Sequence, residues 1–353
     1  MKKTLAALIV GAFAASAANA AVIYDNEGTK VELNGSLRIL LEKSNQGGEN
    51  NKHSHSGLKN SGSRVEVRVK HDLSEGYYAL GRVEVRFDGK QGGTVREDGF
   101  GNLNTKRAYV GLGHKDLGEL TFGRQVTIAD DLSTADDYAY GIINKGDYIP
   151  TEGNSIVRYD YRGIENLQLG VGYQFADNRD TNNEVSLGNV KSGFQLGAVY
   201  NGKWDDVSGV IAKFGYGRTN YKTNSNQKHY QDGFLASLGY NYADLLVSVD
   251  GGYAKAKQDG QDTKKYFVSP GFQYQVIDNS KIYGNYKYEQ SKTGANKSKT
   301  HGFLLGVDYK LHKQVVTFVE GKYVVTKDYV NGNYVDNSKV TDKAIGVGMR
   351  VYF

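Results

Sequence analysis

Apolar and polar residues alternate with a period of two along most of this chain. In the run 29–43, Val31, Leu33, Gly35, Leu37, Ile39 and Leu41 hold one parity, while Lys30, Glu32, Asn34, Ser36, Arg38 and Glu42 hold the other. Successive side chains of a strand point to opposite faces, so each such run predicts a strand with one greasy and one wet face. Val65, Val67 and Val69 against Arg64, Glu66 and Arg68 repeat the pattern. So do Phe303, Leu305, Val307, Tyr309 and Leu311, and, at the end, Ile345, Val347, Met349, Val351 and Phe353. Sixteen runs are predicted, at 29–43, 62–71, 77–88, 105–114, 118–124, 154–161, 166–175, 192–200, 207–217, 230–242, 245–255, 265–276, 281–289, 301–311, 314–326 and 342–353. Their connections alternate between short (such as Asp72–Gly76) and long. The longest is 125–153, and 256–264, 290–300 and 327–341 also fall in the long class.

Two architectures accommodate such strands. In a soluble sandwich the apolar faces of two sheets meet each other, usually with Greek-key connections of irregular length. In an outer-membrane barrel the apolar face meets lipid and the polar face lines a lumen. Regular short–long alternation suits an up-and-down closed sheet. The aromatics on the apolar parity decide the matter, because they gather toward strand ends. Tyr77, Tyr159, Tyr161, Tyr200, Tyr240, Tyr242, Tyr274, Tyr309 and Phe353 fall toward the short turns. Phe87, Phe175, Phe194, Tyr216, Tyr253, Tyr266, Tyr288, Phe303 and Tyr323 fall toward the other rim. Two girdles around an aliphatic band match a bilayer with its two interfaces. The prediction is an all-β, 16-stranded antiparallel transmembrane β-barrel. Pro270, inside a predicted strand, cannot donate to the ladder, so a bulge or weakened pairing is expected there.

Composition fits this reading. The 353 residues include 45 Gly and 27 Tyr but 2 Pro and no Cys, which excludes disulfide frameworks and thiolate metal sites. A net charge of +5 gives no reason to expect nucleic acid as a partner. A mean hydropathy of −0.55 alone would suggest a soluble chain, but only every second strand residue needs to face lipid. Lys2 and Lys3, the apolar run Thr4 to Ala17 and Ala18-Asn19-Ala20 read as a signal peptide over residues 1–20. A single barrel domain would then span 21–353.

A sixteen-stranded barrel is too wide for side chains to fill and encloses water. Its inward charges then govern what passes. The segment 125–153 carries Asp130, Asp131, Asp136, Asp137 and Asp147. The residues alone leave it either outside, the default for connections, or folded into the lumen. No catalytic, cofactor or metal set stands out. His53, His55, His71, His114, His229, His301 and His312 all fall in loops, turns or strand ends, without the partners a nucleophile or metal ion needs. The alternative to a general channel is a substrate-specific one, which would usually carry aromatics on the lumen parity. Here that parity reads as Arg, Lys, Glu, Gln and Gly.

The residues Lys2 to Leu8, Ala21 to Tyr24, Val268 to Tyr274 and Gly346 to Phe353 resemble a Gram-negative general diffusion porin over the whole chain, most closely the major porins of the Pasteurella and Haemophilus group. The resemblance implies a homotrimer in the bacterial outer membrane, in contact with its lipid and lipopolysaccharide, and an assembly signal ending in Phe353 that the outer-membrane insertion machinery reads. It implies passive, weakly charge-selective passage of small hydrophilic solutes, with no enzyme activity and no cofactor. It also implies that the third long loop bends inward, its acids facing basic wall residues. Arg64 and Arg107 match the family's wall positions by local pattern; Arg38 and Arg82 are placed by parity. Ser36 stands where the family has a lysine, and the family's Pro-Glu-Phe-Gly-Gly loop segment is absent.

Overall fold

The structure, a computed structural model, describes residues 20–45, 57–88, 90–91, 94–95, 100–176, 190–222, 228–258 and 260–353. Residues 1–19 of the predicted signal peptide and His53-Ser54-His55 therefore lie outside the described residues. The described strands form a closed antiparallel barrel of sixteen, numbered here in chain order. They are β1 Thr29–Ser44, β2 in two pieces Gly57–Asn60 and Arg64–Asp72, β3 Tyr77–Asp88, β4 Asn102–His114, β5 Gly118–Val126, β6 Glu152–Ile164, β7 Leu167–Phe175 and β8 Val190–Lys203. The second half comprises β9 Ser208–Tyr221, β10 Tyr230–Tyr242, β11 Leu245–Gln258, β12 Gln261–Ile277, β13 Ser280–Thr293, β14 Asn296–His312, β15 Val315–Val330 and β16 Val340–Tyr352.

Each strand pairs with its sequence neighbour, and β16 closes the ring on β1 from Ser36↔Tyr352 to Ser44↔Ala344. Closure removes the edges whose unpaired N–H and C=O groups hydrocarbon cannot satisfy. An additional strand, Ala21–Asn26, pairs with the start of β1 and takes over where Phe353 leaves off. The sequence pattern over 21–26 does not alternate, so only its hydrogen bonding reveals it.

The two parities separate as expected. On the outward one Val110 is 64% exposed, Leu305 60% and Ile345 57%, part of an apolar surface far larger than a water-soluble monomer tolerates. On the inward one Glu84, Asp250, Asp308 and Glu320 are buried among hydrogen-bond partners. Pro270 keeps its register with Val249 of β11, but toward β13 the pairing lapses at Ser269 and Pro270 and resumes without a shift at Gly271↔Asn285. The effect is a weakened pairing with no bulge.

Several predicted boundaries need correction. The connections 256–264 and 290–300, predicted as long loops, are strand almost throughout: Gln258 pairs with Gln261, and Thr293 with Asn296. His301, read as a strand end, lies well inside β14. β2 begins earlier than predicted, at Gly57, and is interrupted at 61–63. In the extensions of β11–β14 both faces are predominantly polar, so the hydrophobic signal stops while the ladder continues.

Candidate functional site

Strands β16 and β1–β4 present a ladder of guanidiniums on the inward parity. Arg38 of β1 stands opposite Arg350 of β16, Arg64 of β2 opposite Arg86 of β3, and Arg68 of β2 opposite Arg82 of β3. Arg107 of β4 faces Glu84. Glu84, 1% exposed, ties four of them together: Arg86 at 2.7 Å, Arg107 at 3.2 Å, Arg64 at 3.3 Å and Arg82 at 3.6 Å. Glu66, directly across from Glu84, binds Arg68 and Arg82. Arg38 rests its Nε on the Ser36 hydroxyl at 2.7 Å. The two carboxylates fix the planar forks through paired, charge-assisted bonds. Seven guanidiniums against two carboxylates leave five positive charges on this wall.

Segment 127–151, between β5 and β6, is held by inward side chains of β6, β9, β11–β13, β15 and β16. It opens with a 3-10 turn at Ile128–Asp131, N-capped by Thr127, and contains another at Lys145–Asp147. Asp250 of β11 accepts from Thr134 N at 2.9 Å and from Ala135 N at 3.0 Å. Glu320 of β15 accepts from Tyr138 N at 2.6 Å, Ala139 N at 2.8 Å and Tyr140 N at 2.5 Å, and from the Tyr283 hydroxyl at 2.7 Å. Arg350 donates to the Tyr138 carbonyl, and Lys213 to the Ser133 carbonyl.

Apolar contacts run alongside. Ile128, Leu132, Tyr148 and Ile149 pack with Val199, Leu235 and Phe267, while Tyr140 and Ile142 pack with Leu40, Tyr283 and Phe318. Tyr138 stacks on Phe318 at 4.7 Å. The inward parity thus does contain aromatics, contrary to the sequence reading. Phe267, Tyr283 and Phe318 are at most 5% exposed beneath this segment, so they form no surface along which a solute could slide. A side chain at Gly233 would put its Cβ on the Tyr148 carbonyl, which makes the absence of one a condition of this packing.

The loop acids find partners away from the Arg38, Arg64, Arg82 and Arg107 cluster. Asp131 pairs with Arg158 of β6 at 3.3 Å, Asp136 with Lys281 of β13, Asp147 with Lys265 of β12, and Asp130 with Lys145 of its own segment at 3.8 Å. Asp137 has no cation within 4.0 Å among the described residues. Asp137 is itself solvent-exposed but surrounded by the mass of the barrel; that surrounding protein, and then the charges of Glu320 and Asp136, push its carboxyl up to about 6. Enclosure together with Asp308 likewise raises the Tyr138 hydroxyl.

Sequence reading left out the residues that do the anchoring: Glu66, Glu84, Arg158, Lys213, Asp250, Lys265, Lys281, Asp308, Glu320 and Arg350. Asp250 and Asp308 did carry a signal, since each is the one carboxylate on the wet parity of its strand.

Residues 4–329 match the family model of the Gram-negative porins. The chain is 34% identical over 371 residues to a major outer membrane protein of Pasteurella multocida strain Pm70, covering 100% of both. Among solved structures it resembles OmpT, an outer membrane protein of Vibrio cholerae (TM-score 0.71, 18% identity, 94% of this chain and 99% of that one). It also resembles an anion-selective porin from Comamonas acidovorans (TM-score 0.68, 19% identity, 92% and 100%). At these identities the solved structures speak for the barrel alone. Together with the lipid-facing band and the wet interior, the family match and the full-length relative establish that this chain belongs to the Gram-negative porins, general diffusion channels of the outer membrane.

Proposed function

We propose that segment 127–151 crosses the barrel interior and, with the guanidinium wall of β16 and β1–β4, forms the neck of the pore. The observation that carries this reading is the set of five backbone N–H groups delivered to Asp250 and Glu320, two inward carboxylates on strands far from β5 and β6. Arg38, Arg64, Arg82 and Arg107 would line one side. Of Asp130, Asp131, Asp136, Asp137 and Asp147 on the other, Asp137 alone lacks a basic partner within 4.0 Å among the described residues.

Transport is passive: ions and small hydrophilic solutes diffuse down their gradients, and the opposed fields across a narrow low-dielectric neck orient them. The five surplus positive charges of the arginine wall favour anions. No group in the neck has the arrangement of a catalytic site, and no enzyme activity is proposed. Three copies assemble, as in the trimer form of Vibrio cholerae OmpT, and residues 1–20 are removed on export. Phe353, bonded through its backbone to Gly35, closes the barrel and ends the assembly signal; the outer rim meets lipopolysaccharide.

Reversal potential across a planar bilayer in a potassium chloride gradient tests the reading. A shift toward the chloride equilibrium potential is expected; a shift toward that of potassium rejects the assignment of the arginine wall to the neck.

A further inference from the structure

Three pairs of arginines face each other directly across neighbouring strands of the inward wall: Arg68 with Arg82, Arg64 with Arg86, and Arg38 with Arg350. Like charges at directly opposite positions, with Cβ atoms only ~5 Å apart, destabilise a sheet. The first two pairs are relieved from within the chain. Glu66 takes Arg68 on one carboxylate oxygen and Arg82 on the other. Glu84 takes Arg86 at 2.7 Å and Arg64 at 3.3 Å on a single oxygen. In both cases the bridging acid stands two residues before an arginine of the same strand, in Glu66-Val67-Arg68 and Glu84-Val85-Arg86.

The third pair, at the β16–β1 seam, departs from that pattern. Its sequence is Ser36-Leu37-Arg38, so a hydroxyl stands where the other two strands carry a carboxylate. Arg38 donates its Nε to that hydroxyl at 2.7 Å, and Arg350 donates one Nη to the Tyr138 carbonyl. The Nε of Arg350 is buried and has no acceptor among the described residues. Neither guanidinium has a carboxylate within 4.0 Å among the described residues. The acids of the same strands are engaged elsewhere: Glu32 with Lys30 at 2.6 Å, Glu42 with Lys59 at 2.7 Å, and Asp342 with Lys322 at 2.5 Å. Both forks are nevertheless held in place, Arg38 by Ser36 and Arg350 by the Tyr138 ring, over which it lies at 4.5 Å. Two fixed forks with N–H groups to spare suit a planar carboxylate better than a spherical ion, because each carboxylate oxygen can accept from a different fork.

We propose that Arg38 and Arg350 form a subsite for the carboxylate group of passing solutes, which takes the bridging part that Glu66 and Glu84 play for the other two pairs. The inference rests on the reading that this wall lines the neck, and it names a solute class for that neck. Small organic carboxylates are held in transit, whereas chloride, without a second acceptor atom, is not. Selectivity for anions in general needs only the surplus charge of the wall; a preference for carboxylates needs this pair.

The test records unitary conductance of the full-length channel in a planar bilayer while potassium acetate replaces potassium chloride at constant total salt. Anions that do not compete for a site give a straight line between the two pure salts. A preference of about tenfold for acetate over chloride puts half of the fall at an acetate fraction of about one tenth. The wild type should show that early fall. Arg38→Gln should straighten the line, and so should Ser36→Asp, which supplies an acid from the chain itself. Ser36 is 1% exposed, so folding is checked by the heat-dependent shift in gel mobility, and Arg350→Gln replaces either variant that fails to fold. Arg64→Gln removes one positive charge as well but leaves the seam pair intact, and should keep the early fall. Acetamide, the uncharged amide of the same shape, should lower wild-type chloride conductance no more than it lowers that of the bath. A straight line for the wild type, an early fall that persists in folded Arg38→Gln, its loss in Arg64→Gln, or an equal effect of acetamide overturns the proposal. Reversal potential in a potassium chloride gradient is read on the same membranes. Selectivity for potassium rejects the neck reading and this inference with it; selectivity for chloride with a straight line rejects this inference alone.

Discussion

Removing the anchors of segment 127–151 while leaving the sheet intact isolates what that segment does. Glu320 receives four donors, two at each oxygen. In Glu320→Gln one oxygen becomes an NH₂ group, so two donors face a donor. At roughly 1.5–3 kcal/mol for each hydrogen bond to a charged group, about 3–6 kcal/mol of anchoring is lost. Asp250→Asn strands one of its two donors and costs roughly 1.5–3 kcal/mol more, with some non-additivity because both carboxylates hold one segment. The ladder hydrogen bonds of β11 and β15 are untouched, so the barrel should still show its heat-dependent shift in gel mobility. In single-channel recordings the double variant should conduct more, fluctuate more, and admit larger polyethylene glycols than wild type. A folded double variant with wild-type conductance, noise and size exclusion would refute the placement of this segment in the pore.

Other consequences can be checked in the same bilayer. Arg64→Gln with Arg107→Gln removes two of the five surplus positive charges and should move the reversal potential toward cations. Asp137, with its carboxyl raised to about 6, carries its charge above that pH and loses it as pH falls through it. Wild type should therefore become more anion-selective between pH 7 and pH 5, and Asp137→Asn should flatten that change. Gly233→Ala forces Tyr148 off its seat and should reproduce part of the noise of the anchor variant without altering charge. Phe353→Ser, at the barrel seam, should slow insertion into the outer membrane, read as unassembled protein in pulse-chase fractionation.

The barrel was legible because lipid on one side and water on the other impose a period of two that no soluble turn-rich fold sustains for so long. Legibility ended where the asymmetry ends. Above the upper girdle both faces of β11–β14 are wet, so Gln258, Gln261, Thr293 and Asn296 read as loop although they are hydrogen-bonded strand. The arginine wall was visible in part, since Arg64, Arg68, Arg82 and Arg86 alternate within two strands. Arg350 joins them only through the β16–β1 seam, a contact between the two ends of the chain. The partners of the loop acids were not legible at all. Lys265, Lys281 and Arg158 differ in sequence from other wet-parity cations in nothing that marks them as ligands for Asp147, Asp136 and Asp131.

The central claim is that the barrel encloses a continuous, open column of water. Unitary conductance in a planar bilayer, measured as bath salt is raised, addresses it most directly. The account predicts discrete, stable openings whose size rises nearly in proportion to bath conductivity, as for bulk electrolyte in a tube. Folded protein that inserts yet gives no unitary steps, or steps that stop growing at low salt, would contradict it.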